Sequence, residues 1–490
     1  MKSALLLAVA GALITLAFAP YNLWPLALLS PAVLLYYLRA IDSSRRAYVL
    51  GFSYLFGMFA SGVSWVYVSI HVYGHASAPL AATFTALFVA FVAAVTALPL
   101  LAWPRLKRSL PLWLAFPTIW VACEFWRSWA FTGLPWLLAG YSQTDTPLAG
   151  WAAIGGVYWV SFLTLLTTGL LFSAARTSNR LRGFAIGAVG LIWLTGFAIG
   201  KVAWTTTEGE PVRVALVQPN VDQNEKWDPD FLQRIVNQLH QLSTPLWPLA
   251  DVVIWPEGAV PAPYHRAMPF LAQQQQLAAA EGSVLITGIP YRQPDGRYTN
   301  SIVAMTGDDP ATPQQYDKQR LVPFGEYVPL ERQLRGIIAF FDMPMSNFTL
   351  GAKDQQPLTI ADRNFAAAIC YEIVYPDLVA SNARDAGAII TLSNDAWFGH
   401  SIGPLQHLQM ARFRAIELAK PVIRGTNNGV TALINASGEV TDELPQFVER
   451  ALVGEVQLQR GQTPFARLQS WPTLLLVLML LGFALYRGKA

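Results

Sequence analysis

The chain reads as an α-helical membrane bundle of eight spans joined to an α/β domain. Three observations predict this. Charged residues make up 13% of the 490 and hydrophobic residues 53%, where ordinary soluble domains carry about 25% charge. The deficit is concentrated: long stretches of the first 200 residues hold no charge, whereas 205–467 have the composition of a soluble protein. Within that second part, short β-branched runs alternate with segments of 3.6-residue periodicity. The expected division is a membrane part over 1–204, a globular part over 205–467, and a last span with a short tail over 468–490.

A helix that crosses the apolar core of a bilayer needs about 20 predominantly apolar residues. Seven such segments precede residue 201, at 3–19, 22–38, 48–70, 79–103, 110–131, 148–174 and 183–200, and an eighth follows at 471–486. The first has features of a secretory leader, with Lys2, an apolar run and Ala17-Phe18-Ala19. Pro20 would follow the cut and a second apolar segment begins at once, so it reads as an uncleaved span. Lys and Arg placement sets orientation. Arg39, Arg45 and Arg46 follow span two, Arg105, Lys107 and Arg108 span four, Arg176, Arg180 and Arg182 span six, and Arg487 and Lys489 span eight. The loops after spans one and three hold none, and the loop after span five only Arg127 at its edge. This alternation puts both termini in the cytoplasm and 201–470 outside. Glu124 and Arg127, three apart near the outer end of span five, can pair on a helix; the alternative is contact with a lipid head group.

A net charge of +3 gives no basis for nucleic-acid binding. Of the two cysteines, Cys123 lies in an apolar segment and Cys370 at a strand end, so no structural disulfide is expected.

In the outer part, strands are expected at 212–217, 252–255, 284–287, 301–305, 365–369, 388–392, 422–424 and 430–434, and helices at 231–242, 270–280 and 405–419. Near-continuous apolar strands such as Ala388-Ile389-Ile390 suggest a sheet covered on both faces.

Three short segments carry chemistry. Ile254-Trp255-Pro256-Glu257 leaves a carboxylate at a strand tip, Tyr316-Asp317-Lys318 leaves an ammonium before a Pro/Gly turn, and Ala366-Ala367-Ala368-Ile369-Cys370 delivers a thiol into a turn. Active sites of α/β proteins often lie at such carboxyl ends. A carboxylate can take a thiol's proton, and an ammonium can lower the thiol pKa and stabilise the oxyanion of a tetrahedral intermediate. Taken singly, each has a bland alternative: Cys370 a small buried hydrophobe, Glu257 a cap, Lys318 a surface cation.

Together the segments resemble a known family. Trp-Pro-Glu at 255–257, Asp-Lys at 317–318 with Leu-Val-Pro-Phe-Gly-Glu at 321–326, and Ile-Cys-Tyr-Glu at 369–372 are similar to the Glu, Lys and Cys motifs of the nitrilase superfamily. With the spans, the Gln-Pro-Asn that starts at Gln218, and Ser393-Asn394-Asp395-Ala396-Trp397-Phe398-Gly399, the whole chain resembles its membrane-embedded branch, the apolipoprotein N-acyltransferases. The resemblance implies a four-layer α-β-β-α sandwich with Glu257 as general base, Lys318 as oxyanion stabiliser and Cys370 as nucleophile. It implies a second active-site glutamate in Glu326, residues flanking the thiol in Tyr371 and Glu372, and a tryptophan near the site in Trp227; simple packing is the alternative for Trp227 and Tyr371. It implies an acyl donor phospholipid, commonly phosphatidylethanolamine cleaved at its sn-1 ester, a thioester intermediate, and a diacylated apolipoprotein acceptor, at the outer face of the bacterial inner membrane.

No nucleotide fingerprint and no zinc-ligand spacing is present, so neither cofactor nor metal is expected; His400 and His407 read as structural or rim residues. Two rival functions use the same features. A membrane-anchored amidase would hydrolyse C–N bonds with the same three residues, and a transporter would carry an inert outer domain. Eight spans favour a lipid substrate over the first, and the scarcity of charges within the spans argues against the second.

The segment 334–348 is apolar but interrupted by Gly336 and Pro344, and is expected to form a lipid-facing lid; a buried loop is the alternative. Replacing Phe340 and Phe341 by Ser is expected to impair acyl transfer and leave the domain folded, as checked by transfer assay and thermal melt. Unfolding would favour the buried loop.

Overall fold

The strands of residues 205–467 assemble into two six-stranded sheets stacked face to face. The computed structural model describes residues 2–307, 309–328 and 347–487. In chain order the strands are β1 (Thr206–Thr207), β2 (Val212–Gln218), β3 (Val252–Trp255), β4 (Val284–Arg292), β5 (Tyr298–Ala304), β6 (Gln314–Asp317), β7 (Leu358–Ile360), β8 (Arg363–Ile369), β9 (Ala388–Ser393), β10 (Val422–Thr426), β11 (Ala432–Ile434), β12 (Val440–Glu443), β13 (Arg450–Val456) and β14 (Gln459–Arg460). One sheet has the order β13-β2-β3-β4-β5-β6 and the other β12-β11-β10-β9-β8-β7, with β1 and β14 as a separate ribbon. The central strands, β2-β3-β4 and β8-β9-β10, run parallel, and the flanking pairs run antiparallel.

Every residue of β3, β9 and β10 is buried, because each sheet has apolar material on both faces. Between the sheets, Val214, Leu216, Ile254 and Ile286 meet Phe365, Ala367, Ile390, Leu392 and Ile423. On the far face of the first sheet, Ala215, Val253 and Leu285 pack with Ile235 and Leu239 of the helix Leu232–Ser243 and Leu271 of the helix Tyr264–Ala280. On the far face of the second, Ala366, Ala368 and Ile389 pack with Val379 of Pro376–Asn382 and Met410 and Phe413 of Gly403–Leu418. The result is a four-layer α-β-β-α sandwich.

The last of these layers does not end at the sandwich. Its apolar cluster is continuous with Ile119, Tyr141, Val157 and other buried side chains of the first 200 residues. Polar contacts cross the same boundary: Val157 N donates to Glu417 Oε1 at 2.7 Å, Arg414 Nη2 to Tyr141 Oη at 3.1 Å, and Ser470 N to Asp377 Oδ1 at 3.0 Å.

Not all eight expected spans have the length of a crossing helix. Among the described residues, three helical stretches are long and apolar enough to cross a membrane: Ala78–Ser109, Pro147–Ala174 and Asn179–Ile199. A fourth is added if Ser44–Gly62 and Trp65–Tyr73, bent by 53°, count as one span. Lys2–Ala17, Leu26–Leu38 and Trp471–Arg487 are apolar but shorter; a 13-residue helix rises only about 20 Å, against a hydrocarbon core of about 30 Å. Leu112–Trp129 carries Glu124 and Arg127 and is not among the three. The basic loops cluster: Lys107 pairs with Asp42 at 3.0 Å and donates to Arg39 O, while Ser109 Oγ donates to Ala484 O in the last helix.

The expected Glu124–Arg127 pair is not formed. Both are buried, but each turns to the loop that follows the helix. Glu124 Oε1 accepts from Ala139 N at 2.7 Å and Trp120 Nε1 at 2.9 Å, and Arg127 Nη1 donates to Trp136 O. Backbone partners win here because the loop leaves amide and carbonyl groups in the interior that need satisfying.

All eight expected strands are present, with ends shifted by up to five residues; the two ribbon strands β1 and β14 are additional, as are the sheet strands β6, β7, β12 and β13. These four lie toward sheet edges in antiparallel pairs, three of them have exposed positions, and none offers a continuous apolar run. The second helix begins at Tyr264, not at 270, and takes Pro269 into its body. Ile423, fully buried between the sheets, tests the packing. Ile423→Ala is expected to cost about 2–5 kcal/mol and Ile423→Val about 0.5–1.5 kcal/mol, read as a graded fall in melting temperature of the detergent-solubilised chain.

Candidate active site

Three strands deliver the site. β3 ends at Trp255, two residues before Glu257; β6 ends at Asp317, one before Lys318; β8 ends at Ile369, one before Cys370. The first two belong to one sheet and the third to the other, so the face-to-face stacking brings carboxylate and ammonium to the thiol. Gly288 on β4 permits the approach: a Cβ there would lie 2.6 Å from Glu257 Cα.

Lys318, 1% exposed, sits between two carboxylates. Its Nζ is 3.3 Å from Glu257 Oε1 and 2.9 Å from Glu326 Oε1. Asn300 Nδ2 donates to both of those oxygens at 2.7 Å. The outer oxygens are held by backbone: Asn394 N donates to Glu257 Oε2 and Val322 N to Glu326 Oε2, each at 2.8 Å. A second buried ammonium, Lys226, donates to the Glu257 carbonyl at 3.0 Å.

Burial alone would raise the Glu257 carboxyl, but Lys318, the Asn300 amide, the Asn394 N–H and Lys226 outweigh it and hold it below the ordinary carboxylate range. Burial alone would lower Lys318, but Glu257 and Glu326 raise it well above the ordinary lysine value. Burial and the Glu257 charge push the Cys370 thiol up against the opposing pull of Lys318. At neutral pH the resting site is therefore carboxylate, ammonium and neutral thiol. Such a thiol becomes a nucleophile when its proton leaves for a base as the sulfur attacks, and Glu257 is the carboxylate on hand.

Cys370 is partly exposed and has φ of 49°, the left-handed region that non-glycine residues seldom adopt. Glu372, fully buried, ties this turn to the lysine segment. Its Oε2 accepts from Ile369 N at 2.8 Å and Tyr316 Oη at 3.0 Å, and its Oε1 from Gln319 N at 2.6 Å and Arg320 N at 3.2 Å. Tyr371 Oη donates to Gly133 O at 2.8 Å, and Tyr375 Oη to Thr132 O at 3.0 Å, so the thiol turn is fastened to the end of the helix that carries Arg127. Trp227 lies beside Gly258 and Lys226, at the back of Glu257.

The structure thus gathers Glu257, Lys318, Glu326, Cys370, Tyr371 and Glu372 into one site, with Trp227 on the Glu257 side. Asn300, Lys226 and Asn394 are additions the sequence reading did not single out as site residues. Residues 334–346 of the expected lid lie outside the described residues. Both cysteines are free, and the described residues contain no group of three or more His, Cys, Asp or Glu placed to hold a metal ion.

Comparison with known proteins adds the following. Residues 10–170 match the family described as apolipoprotein N-acyltransferase N-terminal domain, and residues 213–463 match carbon-nitrogen hydrolase. An apolipoprotein N-acyltransferase of Pseudomonas syringae pv. tomato is 46% identical, over 99% of this chain and 97% of that one. One from Azotobacter vinelandii is 47% identical over 99% and 95%, and one from Vibrio parahaemolyticus 40% identical over 96% and 94%.

Burial lowers Lys226 to about 8, against a smaller raising effect of Glu257. An unfolded lysine titrates near 10.4, so between about pH 8 and 10 the unfolded chain binds the extra proton and stability rises with pH. Lys226→Met removes this dependence. The wild type is expected to gain roughly 3 kcal/mol relative to the variant across that window, measured as the difference in their melting temperatures at each pH.

Proposed function

Because the chain belongs to the apolipoprotein N-acyltransferase family, we propose that it moves a fatty acyl chain from the sn-1 position of a phospholipid, through a thioester on Cys370, to the α-amino group of the diacylglyceryl-cysteine at an apolipoprotein N-terminus. The chain is an acyltransferase of lipoprotein biosynthesis with a nitrilase-like catalytic fold. The observation that carries the proposed chemistry is the charged cluster in which Lys318 lies between Glu257 and Glu326, beside a thiol turn tied to the helical part through Gly133.

In the first half-reaction, Cys370 Sγ attacks the ester carbonyl as its proton passes to Glu257. Lys318 faces the oxyanion of the tetrahedral intermediate. The intermediate collapses, the C–O bond breaks, and Glu257 returns the proton to the departing lysophospholipid. In the second, the acceptor amine attacks the thioester carbonyl and gives its proton to Glu257. The C–S bond breaks, the sulfur regains a proton, and an amide remains. Glu326 and Asn300 hold Lys318 in line, Glu372 and Tyr371 hold the thiol turn, and Trp227 closes the Glu257 side. One hard transfer becomes two easier ones, and no cofactor enters.

The setting proposed is the bacterial inner membrane, with eight spans, both termini cytoplasmic, and residues 205–467 on the periplasmic side between the membrane parts 1–204 and 468–490. The gathering of the basic loops around Asp42, Lys107 and Ser109 with the last helix supports this orientation, as does the attachment of the thiol turn to the opposite end of the chain's helix 112–129. Phosphatidylethanolamine is the proposed donor.

Intact-mass measurement after incubation with phosphatidylethanolamine tests the reading. An acyl adduct is expected on the wild type, absent in Cys370→Ala, and discharged on adding a diacylated lipopeptide that gains one acyl chain. Lys318→Met is expected to slow adduct formation by about 10²–10³-fold. Release of free fatty acid with no amide product would instead make the chain a membrane-anchored amidase-type hydrolase.

A further inference from the structure

Asp395, in the Ser393-Asn394-Asp395 run that ends β9, and His407, on the helix Gly403–Leu418, have no part in the chemistry above, yet both are buried and lead to the nucleophile. His407 Nε2 lies 3.1 Å from the carbonyl oxygen of Cys370. A carbonyl oxygen only accepts, so Nε2 carries a hydrogen whatever the charge on the ring. The other nitrogen, Nδ1, is 3.1 Å from both Arg424 Nη2 and Asp395 Oδ1. Arg424 Nη2 in turn donates to Asp395 Oδ2 at 2.6 Å, and Ser393 Oγ donates to Asp395 Oδ1 at 2.5 Å. The imidazole is also packed between aromatic rings, with Trp136 at 5.8 Å and Phe398 at 6.2 Å between centroids. It has little freedom to turn.

This matters because Cys370 is held at φ of 49°, a conformation that is unfavourable for a non-glycine residue and persists only where its neighbours over-determine it. Glu372 holds the peptide group one residue upstream, between Ala368 and Ile369, through Ile369 N. His407 holds the Cys370 carbonyl, in the peptide group that follows the Cys370 Cα. Of these two bonds, only the His407 one acts on a peptide group joined directly to that Cα, and with it on the direction of Cα–Cβ.

We propose that His407 is a positioning residue whose Nε2–H, braced by Asp395 and Arg424, holds the Cys370 carbonyl so that the thiol faces Lys318 and Glu257. The inference rests on Cys370 being the nucleophile. His407 touches no reacting atom and exchanges no proton in the reaction.

The test uses the full chain in detergent with Cys123→Ser, which leaves Cys370 as the single thiol, and follows its alkylation by iodoacetamide from intact mass as a function of pH. Two amide replacements separate position from bulk. His407→Gln places an amide N–H near the Nε2 position, and His407→Asn places it near Nδ1, out of reach of the Cys370 carbonyl. The Gln variant is expected to keep the wild-type profile, and the Asn variant to alkylate about tenfold or more slowly, with its midpoint moved to higher pH as the sulfur loses its place beside Lys318. A wild-type profile in the Asn variant, or equal profiles in the two, overturns the proposal. Where His407→Asn does not fold, Asp395→Asn tests the relay from its far end: a slowed profile supports the proposal and a wild-type one overturns it. Alkylation needs no lipid, so this result stands apart from whether the chain transfers acyl groups.

Discussion

A buried ammonium constrains this site more than any other group. Lys318 is taken almost wholly out of water, which is costly for a cation unless opposite charge and hydrogen bonds replace its hydration. Glu257 and Glu326 supply the charge, and Asn300 links the two oxygens that face the lysine. With Lys226 behind Glu257, two positive and two negative groups share the site. In the proposed mechanism, a proton passing from the thiol to Glu257 leaves the summed charge of the site unchanged. Chemistry can then proceed in a low-dielectric place without creating a net buried charge.

That requirement explains why the site is built from two sheets. Glu257 and Lys318 leave one sheet and Cys370 the other, and the apolar interface between Leu216, Ile254, Ile369 and Leu392 fixes their separation. Glu372 crosses the gap by accepting from the backbone on both sides, at Ile369 and at Gln319. Tyr371 and Tyr375 then fix the assembled turn to the residues that follow the helix Leu112–Trp129. Each link is short and backbone-directed, so an error in one is felt at the sulfur.

Much of this was legible in the sequence. Glu257 and Cys370 stand out because each follows an apolar strand in a turn, Lys318 because it precedes a Pro/Gly turn and a second carboxylate, and the strands of the sandwich centre are unbroken apolar runs. What stayed hidden has physical reasons. Asn300 lies just before the expected strand, in the polar run Thr299-Asn300-Ser301 that the structure takes into β5, and only the pairing with β6 and the segment after it brings it between two glutamates. Lys226 looks like a surface cation until the chain folds back over Gly258. Edge strands bury one face at most and leave a weak pattern. Counting apolar runs located the helical part but could not fix how far each run stays helical: Ala78–Ser109 continues as one stretch through its basic end, while Lys2–Ala17 and Leu26–Leu38 stop short. Glu124 and Arg127 have the spacing of a helical pair, and nothing in that spacing reveals the loop backbone that claims both.

The outermost helices of the second sheet share one apolar cluster with the helical part. Ordinary multidomain chains have a seam where few contacts cross and where one half can lose order while the other keeps it. Here such a seam is missing on that side. Cutting the sandwich free would expose Met410, Phe413 and their neighbours to water, and disorder in the helices would spread to the strand that carries the thiol. The protein is therefore expected to behave as a single cooperative body, in which whatever supports its helices also sets the geometry around Cys370.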